Sequence, residues 1–354
     1  MTARATSAPA RDPHVDAMLG LGIVFVVMGH RYQPDYLFFI SGTLVRVQQG
    51  LPAKLRFLGK KSKTQLLRYF QYNLFFAAVT WLLSQVGVPL GYAIPSFASK
   101  TAMLQSLRDF LVVPFLDGHQ YHLHAAAWFL LQLYLVHIAF QLVVYSARRG
   151  LALAALALTV PVTLLLLRAG LADFDDWRMT GVRTSFAFLF FLLEYVLKSE
   201  QARLRPVLLH PAALVVAFAL VNVLAVNFGN IRYNVVLGNI GNPRVYIPVL
   251  TTALIVAMVY QVAFHLSGWL NEGAALLRLG RATLPILLWH FSVFFAINAL
   301  LFAAGLITKA QLSDRTTGSS SSRRRPGCST SSRRSSRRWP STGCWREGGA
   351  RLRL

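Results

Sequence analysis

The chain has 354 residues, of which 55% are hydrophobic and 14% are charged, and its mean hydropathy is +0.48. Soluble domains carry about 25% charged residues, so this composition excludes an ordinary soluble protein and indicates an integral membrane protein. The net charge of +23 does not indicate a nucleic-acid-binding protein, because the cations are spread over short loops between apolar runs rather than gathered into a groove with interleaved aromatics.

Nine apolar runs follow one another along the chain, and a membrane-spanning helix needs about 20 mostly apolar residues. The first two runs are short and suit the interior of a bundle better than contact with lipid. We therefore predict an all-α, polytopic membrane helix bundle with about nine to ten transmembrane helices. A further stretch, SFASKTAMLQSLRDFLVV, is amphipathic and predicts a helix at the membrane interface. The nine runs are 16–30, 36–47, 66–89, 125–146, 150–168, 183–198, 207–228, 245–267 and 283–307.

The composition divides the chain into an N-terminal arm at 1–13, a membrane domain at 14–308 and an Arg/Ser-rich tail at 309–354. The tail has no apolar periodicity and is predicted to be disordered. Its abrupt change in composition is also typical of a GC-rich coding region read out of frame. Both cysteines lie in the tail, so we expect neither disulfides nor thiol chemistry in the membrane domain.

The distribution of Lys and Arg predicts the orientation of the bundle. With the first run directed outward, twelve Lys and Arg residues fall in the inner loops and six in the outer loops. Cytoplasmic loops carry such an excess of cations. We therefore predict a multi-pass protein of the cytoplasmic membrane with its N-terminus in the cytoplasm.

A histidine stands at the end of the first apolar run, in the stretch FVVMGHRYQPDYLFFISG. His30 can exchange a proton near neutral pH and is the residue type most often used as a general base on a hydroxyl. The alternative is an interfacial residue that anchors the end of a helix. Asp16 lies on the same helical face but about 21 Å away along the axis, so it is expected at the opposite mouth of a cavity.

Two short stretches after His30 carry small or basic residues. Ser41 and Gly42 are expected to let helices approach closely, and no GxSxG context supports a serine nucleophile. The loop KLRFLGKKSKTQLLRY contains Lys60, Lys61, Lys63 and Arg68. These cations either set the topology or bind the phosphates of a cytoplasmic donor.

A histidine-rich stretch enters the fourth apolar run. It lacks the spacing of a zinc-binding motif and has no cysteine, so we expect no metal site. Its polar residues are Asp117, His119, His122, His124 and His137.

Three more residues stand out within apolar runs. Trp128 is interpreted as an interfacial or site-lining aromatic residue. Glu194 is a carboxylate inside a predicted span, which is costly and often functional, although an ion pair with Lys198 at i+4 explains it equally well. His290 lies deep in the last run, as either a core residue or a site residue.

The order and spacing of these motifs resemble the acyltransferase 3 family of multi-pass membrane O-acyltransferases, over about residues 14 to 308. The matching stretches are GLGIVFVVMGH at 20–30, FFISG at 38–42, KKSKTQLLRY at 60–69, AWFLLQLY at 127–134 and LPILLWHF at 284–291.

The resemblance implies a bundle of about ten helices that moves an acyl group, typically acetyl, from cytoplasmic acyl-CoA to a hydroxyl outside. The expected acceptor is a carbohydrate, a lipid-linked sugar or a cell-envelope polymer. His30 matches the family's central catalytic histidine, and Trp128 and His290 are expected to line the substrate site. Acyl-CoA is a co-substrate, and neither a bound cofactor nor a metal is implied. Direct transfer and an acyl-histidine intermediate both remain open.

The chain departs from the family's pattern at three places. Leu19 stands where the family has Arg or Lys, the segment at 31–37 is shorter than usual, and the tail replaces the end of the last helical region. A degenerate, inactive acyltransferase is therefore one alternative. Another is a transporter or flippase for a lipid-linked sugar, which would require buried polar residues spread over several helices.

Overall fold

A computed structural model describes most of the membrane domain. The chain divides into two units, Met1–Gly318 and Ser319–Leu354. All described residues belong to the first unit, and none belongs to the second. His30, the segment at 31–37 and the tail at 309–354 also lie outside the described residues. Those residues are 12–29, 41–42, 45–85, 98–116, 128–145, 149–168, 177–229, 233–234, 239–240, 244, 246–271 and 273–308.

The regular secondary structure of the described residues is helical apart from a two-residue antiparallel ladder between β1 (Tyr233–Asn234) and β2 (Asn239–Ile240). The predicted all-α class is therefore confirmed. A π-helical turn at Ser62–Leu66 joins α2 to α3. The helices are α1 (Pro13–Gly29), α2 (Leu51–Lys61), α3 (Leu67–Gln85), α4 (Lys100–Leu111), α5 (Val113–Leu116), α6 (Trp128–Val143), α7 (Arg149–Arg168), α8 (Trp177–Ser199), α9 (Gln201–Leu208), α10 (Pro211–Phe228), α11 (Tyr246–Trp269), α12 (Ala275–Arg281) and α13 (Thr283–Ala303).

Five helices within the described ranges are long and apolar enough to cross a membrane, which indicates a membrane protein. They are Gly150–Arg168, Thr180–Lys198, Pro211–Phe228, Tyr246–Ser267 and Thr283–Ala303.

The prediction of nine to ten spans is wrong for two physical reasons. Helices α1 and α6 are apolar but have only 17 and 16 residues, less than the roughly 20 that a hydrocarbon core requires. Helix α3 has 19 residues, but polar residues such as Arg68, Gln71 and Asn73 make it less apolar than the five candidate spans. An apolar run is therefore not by itself a membrane span in this bundle.

The predicted amphipathic segment at 96–113 contains α4. Ser99 caps this helix, since its hydroxyl accepts a hydrogen bond from the Ala102 amide at 3.1 Å, as serine commonly does at this position. None of its residues is buried, and the exposed apolar residues Met103, Leu104, Leu107 and Leu111 recur at helical spacing. The prediction of an amphipathic helix is confirmed.

Three glycines allow the backbones of neighbouring helices to pack closely against each other. A Cβ atom at Gly42 would overlap the carbonyl oxygen of Phe191 and lie 3.1 Å from Cβ of Glu194. This confirms the predicted close approach at Gly42. At the seam between α1 and α12, a Cβ atom on Gly20 or Gly280 would overlap a backbone carbonyl of the facing helix.

Candidate functional site

Helix α8 carries a buried charged side chain near each of its ends. Arg183 is 1% exposed and Glu194 is 3% exposed. Eleven residues make about three turns, so both lie on one helical face and about 16 Å apart along the axis. The regions around them are called here the Arg183 end and the Glu194 end.

A contact between helices places Trp128 at the Arg183 end. Trp128, the first residue of α6, packs with its ring 5.8 Å from the Arg183 guanidinium. Leu288 of α13 belongs to one apolar cluster with Leu130 of α6. His290 lies two residues beyond Leu288 on α13, and its ring contacts are to Phe291 and Phe294 of the same helix.

The Arg183 guanidinium lies at a distance from the Trp128 ring that allows a cation–π interaction. An arginine stays protonated even when it is buried, so this end holds a permanent positive charge. Next to it, the Gln132 amide donates to the Thr184 hydroxyl, which donates to the Thr180 carbonyl at 2.7 Å. The positive charge of the guanidinium can stabilise negative charge that develops during a reaction, whereas the Thr184 hydroxyl proton is already donated to a backbone carbonyl.

His290 is 5% exposed and has a defined ring orientation. Its Nδ1 donates a hydrogen bond to the Leu287 carbonyl oxygen at 2.8 Å, which fixes the orientation of the ring. The ring also packs against Phe291, with centroids 4.3 Å apart. A role in lining the substrate site remains a prediction.

A cavity of about 220 Å³ opens at the Glu194 end, between α1, α8, α9 and α11. Most of its wall is aliphatic, and its polar groups carry both signs of charge. The polar lining residues are Asp12, His14, Glu194, Lys198, Arg205 and Tyr260, and the apolar ones are Val15, Met18, Leu193, Leu197, Leu204, Leu208, Ala253, Val256 and Ala257.

His14 is fixed in the cavity wall by aromatic and backbone contacts. Its Nε2 lies 3.3 Å from the Tyr260 carbonyl oxygen, and its ring meets the Tyr260 ring edge-on at 4.7 Å. Burial lowers the pKa of His14 below its ordinary 6.5; the Tyr260 carbonyl and Asp12 oppose this decrease, and Arg205 adds to it. His14 therefore favours its neutral form in the folded protein.

Asp16 lies in the seam between α1 and α12. Its Oδ2 accepts a hydrogen bond from Arg281 Nε at 2.9 Å, and the carboxylate side chain is 1% exposed. The residues that line the cavity on α1 are its neighbours Val15 and Met18. Asp16 thus joins two helices beside the cavity, whereas the sequence suggested a place at the cavity mouth.

Three of the predicted donor-binding cations do not form one cluster. Lys60 is exposed, whereas Lys61 is half-buried with its ammonium 5.4 Å from the Phe57 ring. Burial, and then the charge of Lys60, lower the pKa of Lys61. Arg68 is exposed and lines a separate groove with Tyr72, Phe75, Gln71 and Trp289.

Within the part of the chain that the structure describes, no group of three His, Cys, Asp or Glu side chains could hold a metal ion. His119, His122 and His124 lie outside that part. His137 is buried in α6, where its Nδ1 lies 2.6 Å from the Leu133 carbonyl oxygen.

Sequence reasoning missed the cavity and the buried arginine. Arg183 stands at the first position of a predicted span, where a cation is usually interpreted as a topology signal. His14 falls at the boundary of the N-terminal arm, and its partner Tyr260 is 246 residues away. Comparison with models of protein families, with curated proteins and with solved structures found no match.

Proposed function

We propose that this chain is a membrane O-acyltransferase that moves an acyl group, typically acetyl, from acyl-CoA to a hydroxyl of a carbohydrate or lipid-linked sugar. The observation that carries the proposal is the position of α1. Its first turns line the cavity at the Glu194 end, and its 17 residues extend about 25 Å to Gly29. Gly29 is the residue that precedes the predicted catalytic histidine in the sequence.

The cavity at the Glu194 end suits the donor. Aliphatic walls can hold a pantetheine arm and an acyl chain, and the cations Lys198 and Arg205 lie beside them. Cations of this kind bind phosphate through charge-assisted hydrogen bonds. Lys60 does not line this cavity and Arg68 lines a separate groove, so the cavity pair is the better candidate for the CoA phosphates. We place this end at the cytoplasmic face.

In the proposed reaction, His30 takes the proton of the acceptor hydroxyl, and the hydroxyl oxygen attacks the thioester carbonyl carbon of the donor. The carbon–sulfur bond then breaks, and the leaving CoA thiolate takes up the proton that His30 had accepted. The products are an O-acyl ester and free CoA. Arg183 would stabilise the negative charge on the carbonyl oxygen.

A transporter for a lipid-linked or polyanionic sugar is the second candidate, and one observation favours it. Buried polar side chains are spread over several helices, as transport through a bundle requires. They include Asn73 on α3, Gln132 and His137 on α6, Thr163 on α7, Arg183 and Glu194 on α8, Gln261 on α11 and His290 on α13.

Transfer of label from radiolabelled acetyl-CoA to envelope carbohydrate tests the proposal in membranes that carry the wild type, His30→Ala or His265→Ala. His265 is an exposed histidine on α11 and serves as the matched control. We expect the wild type and His265→Ala to label the acceptor and His30→Ala to lose at least 100-fold of the activity.

Absence of label with correctly inserted wild-type protein would contradict an active acyltransferase. Restoration of label by Leu19→Arg would then identify a degenerate enzyme. Uptake of the sugar into vesicles without any acylation would identify the transporter instead.

A further inference from the structure

The surface of α2 and α3 changes character along its length. On the first half the exposed residues include the cations Arg56, Lys60, Lys63 and Arg68. Farther along α3 most of the exposed residues are apolar, up to the exposed Gln85 at its end: Leu74 is 62% exposed, Phe75 49% and Leu82 57%. A surface that passes from cationic to apolar along a helix matches the change from headgroups to acyl chains across one leaflet.

The charge of this region is of one sign only. Between residues 45 and 85 the sequence contains seven Lys and Arg residues and no Asp or Glu. The cations on the exposed side therefore have no acidic neighbour within their own segment. Helix α2 has no buried residue and also exposes Leu51 and Leu55, as a helix at the membrane surface does.

A groove of about 350 Å³ lies where the cationic and apolar parts of this surface meet. Arg68 and Gln71 supply its polar side, and Tyr72, Phe75 and Trp289 supply its aromatic side. The Trp289 ring packs edge-on against Tyr72 at 6.1 Å and against Phe75 at 5.7 Å, so these contacts support the aromatic wall.

We propose that this groove is a binding site for an anionic phospholipid. Arg68 contacts the phosphate of the headgroup, and one acyl chain lies along Phe75 and Trp289. The exposed cation Lys63 adds to the attraction of the anionic lipid. The proposal does not depend on acyl transfer. It assigns to a bilayer lipid the phosphate-binding role that the sequence suggested for a soluble donor.

The position of the groove favours a lipid over CoA as the source of the phosphate. The groove is open on the exposed face of α3 and α13, and it continues into the apolar surface of Leu74 and Leu82. A soluble nucleotide would place polar groups against that apolar surface, whereas an acyl chain would cover the surface with apolar atoms. Each cation near a membrane surface contributes about 1 kcal/mol to attraction of anionic lipid.

Native mass spectrometry of the detergent-purified full chain tests the proposal by titration with phosphatidylglycerol or phosphatidylcholine of identical acyl chains. We expect the wild type to prefer phosphatidylglycerol. The double variant Arg68→Gln and Lys63→Gln should bind phosphatidylglycerol about 25-fold more weakly, because each cation contributes about five-fold. Arg203→Gln removes one exposed cation on α9 and is expected to leave binding unchanged. Trp289→Leu should weaken the binding of both lipids.

Two results would overturn the proposal. One is equal binding of both lipids by the wild type, or an effect of the double variant no larger than that of Arg203→Gln. The other is a double variant that loses affinity for acetyl-CoA but keeps its preference for phosphatidylglycerol, which would identify the soluble donor as the ligand of these cations.

Discussion

Arg183 and Glu194 lie on one face of α8 and are both withdrawn from solvent, but their surroundings differ. Arg183 lies against the Trp128 ring among packed aromatic and apolar side chains. Glu194 borders a cavity whose polar lining includes Lys198, Arg205 and His14. A buried charge is costly in either place. The packed end suits a fixed charge that acts on a reacting atom, and the open end suits a ligand that enters and leaves.

The largest effect is expected at the seam that supports the Glu194 end. Gly280→Ala places a Cβ atom in the backbone of Asp16, and overpacking of this kind typically costs about 1–3 kcal/mol. We expect a loss near the upper limit, about 3 kcal/mol, in the free energy of unfolding in detergent. Gly59→Ala on α2 has nothing within 4 Å and is the control, with an expected gain of about 0.5–1 kcal/mol. Equal stability of the two variants would contradict the close contact of α1 with α12.

The next effect concerns the Arg183 end and the chemical step. Replacing a group that stabilises developing charge lowers kcat by about 100-fold or more, so we expect this decrease for Arg183→Met, with little change in the KM for acetyl-CoA. Arg183→Lys should recover part of the rate, because the charge returns without the planar guanidinium. Arg168→Met, at the exposed end of α7, is the control. A large change in KM with an unchanged kcat would assign Arg183 to donor binding.

The opposite kinetic pattern is expected at the Glu194 end. Lys198→Gln and Arg205→Gln each remove a cation that lines the cavity. We expect the KM for acetyl-CoA to rise by about ten-fold, the loss of one charge-assisted contact, while kcat stays within about two-fold. Arg203→Gln, an exposed neighbour on α9, should change neither constant. A decrease in kcat alone would remove the distinction between the two ends.

The smallest effect follows from the pKa of His14, which burial lowers below 6.5. The unfolded chain then binds more protons than the folded protein below about pH 6.5, so stability decreases as the pH falls through this range and is unaffected above it. His14→Phe keeps the ring contacts but cannot be protonated. We expect the Tm of the wild type to fall by a few degrees more than that of His14→Phe between pH 7.5 and pH 5.5. Parallel curves for the two proteins would contradict this assignment.

Local patterns predicted the elements that depend on neighbours in the chain. The all-α class, the amphipathic helix α4 and the close approach at Gly42 follow from hydrophobic periodicity and from the size of one residue. The number of spans could not be predicted in this way, because α1 and α6 have the composition of a span without its length.

The cavity could not be predicted because four helices build it from residues far apart in the sequence. Its walls are ordinary residues such as Leu193, Val256 and Ala257, which carry no motif. Arg183 was missed for a different reason, since a cation beside an apolar run also marks the end of a span. The catalytic role of His30 rests on the resemblance and stays a prediction.

Equilibrium binding of acetyl-CoA to the purified chain tests most directly the claim that the Glu194 end holds the donor. Ala257→Phe fills part of the cavity, and Val226→Phe enlarges a side chain that is 85% exposed on α10. We predict that the wild type and Val226→Phe bind with the same affinity and that Ala257→Phe, folded to the same extent, binds at least ten-fold more weakly. Unchanged binding by Ala257→Phe, or no binding by folded wild-type protein, would contradict the account.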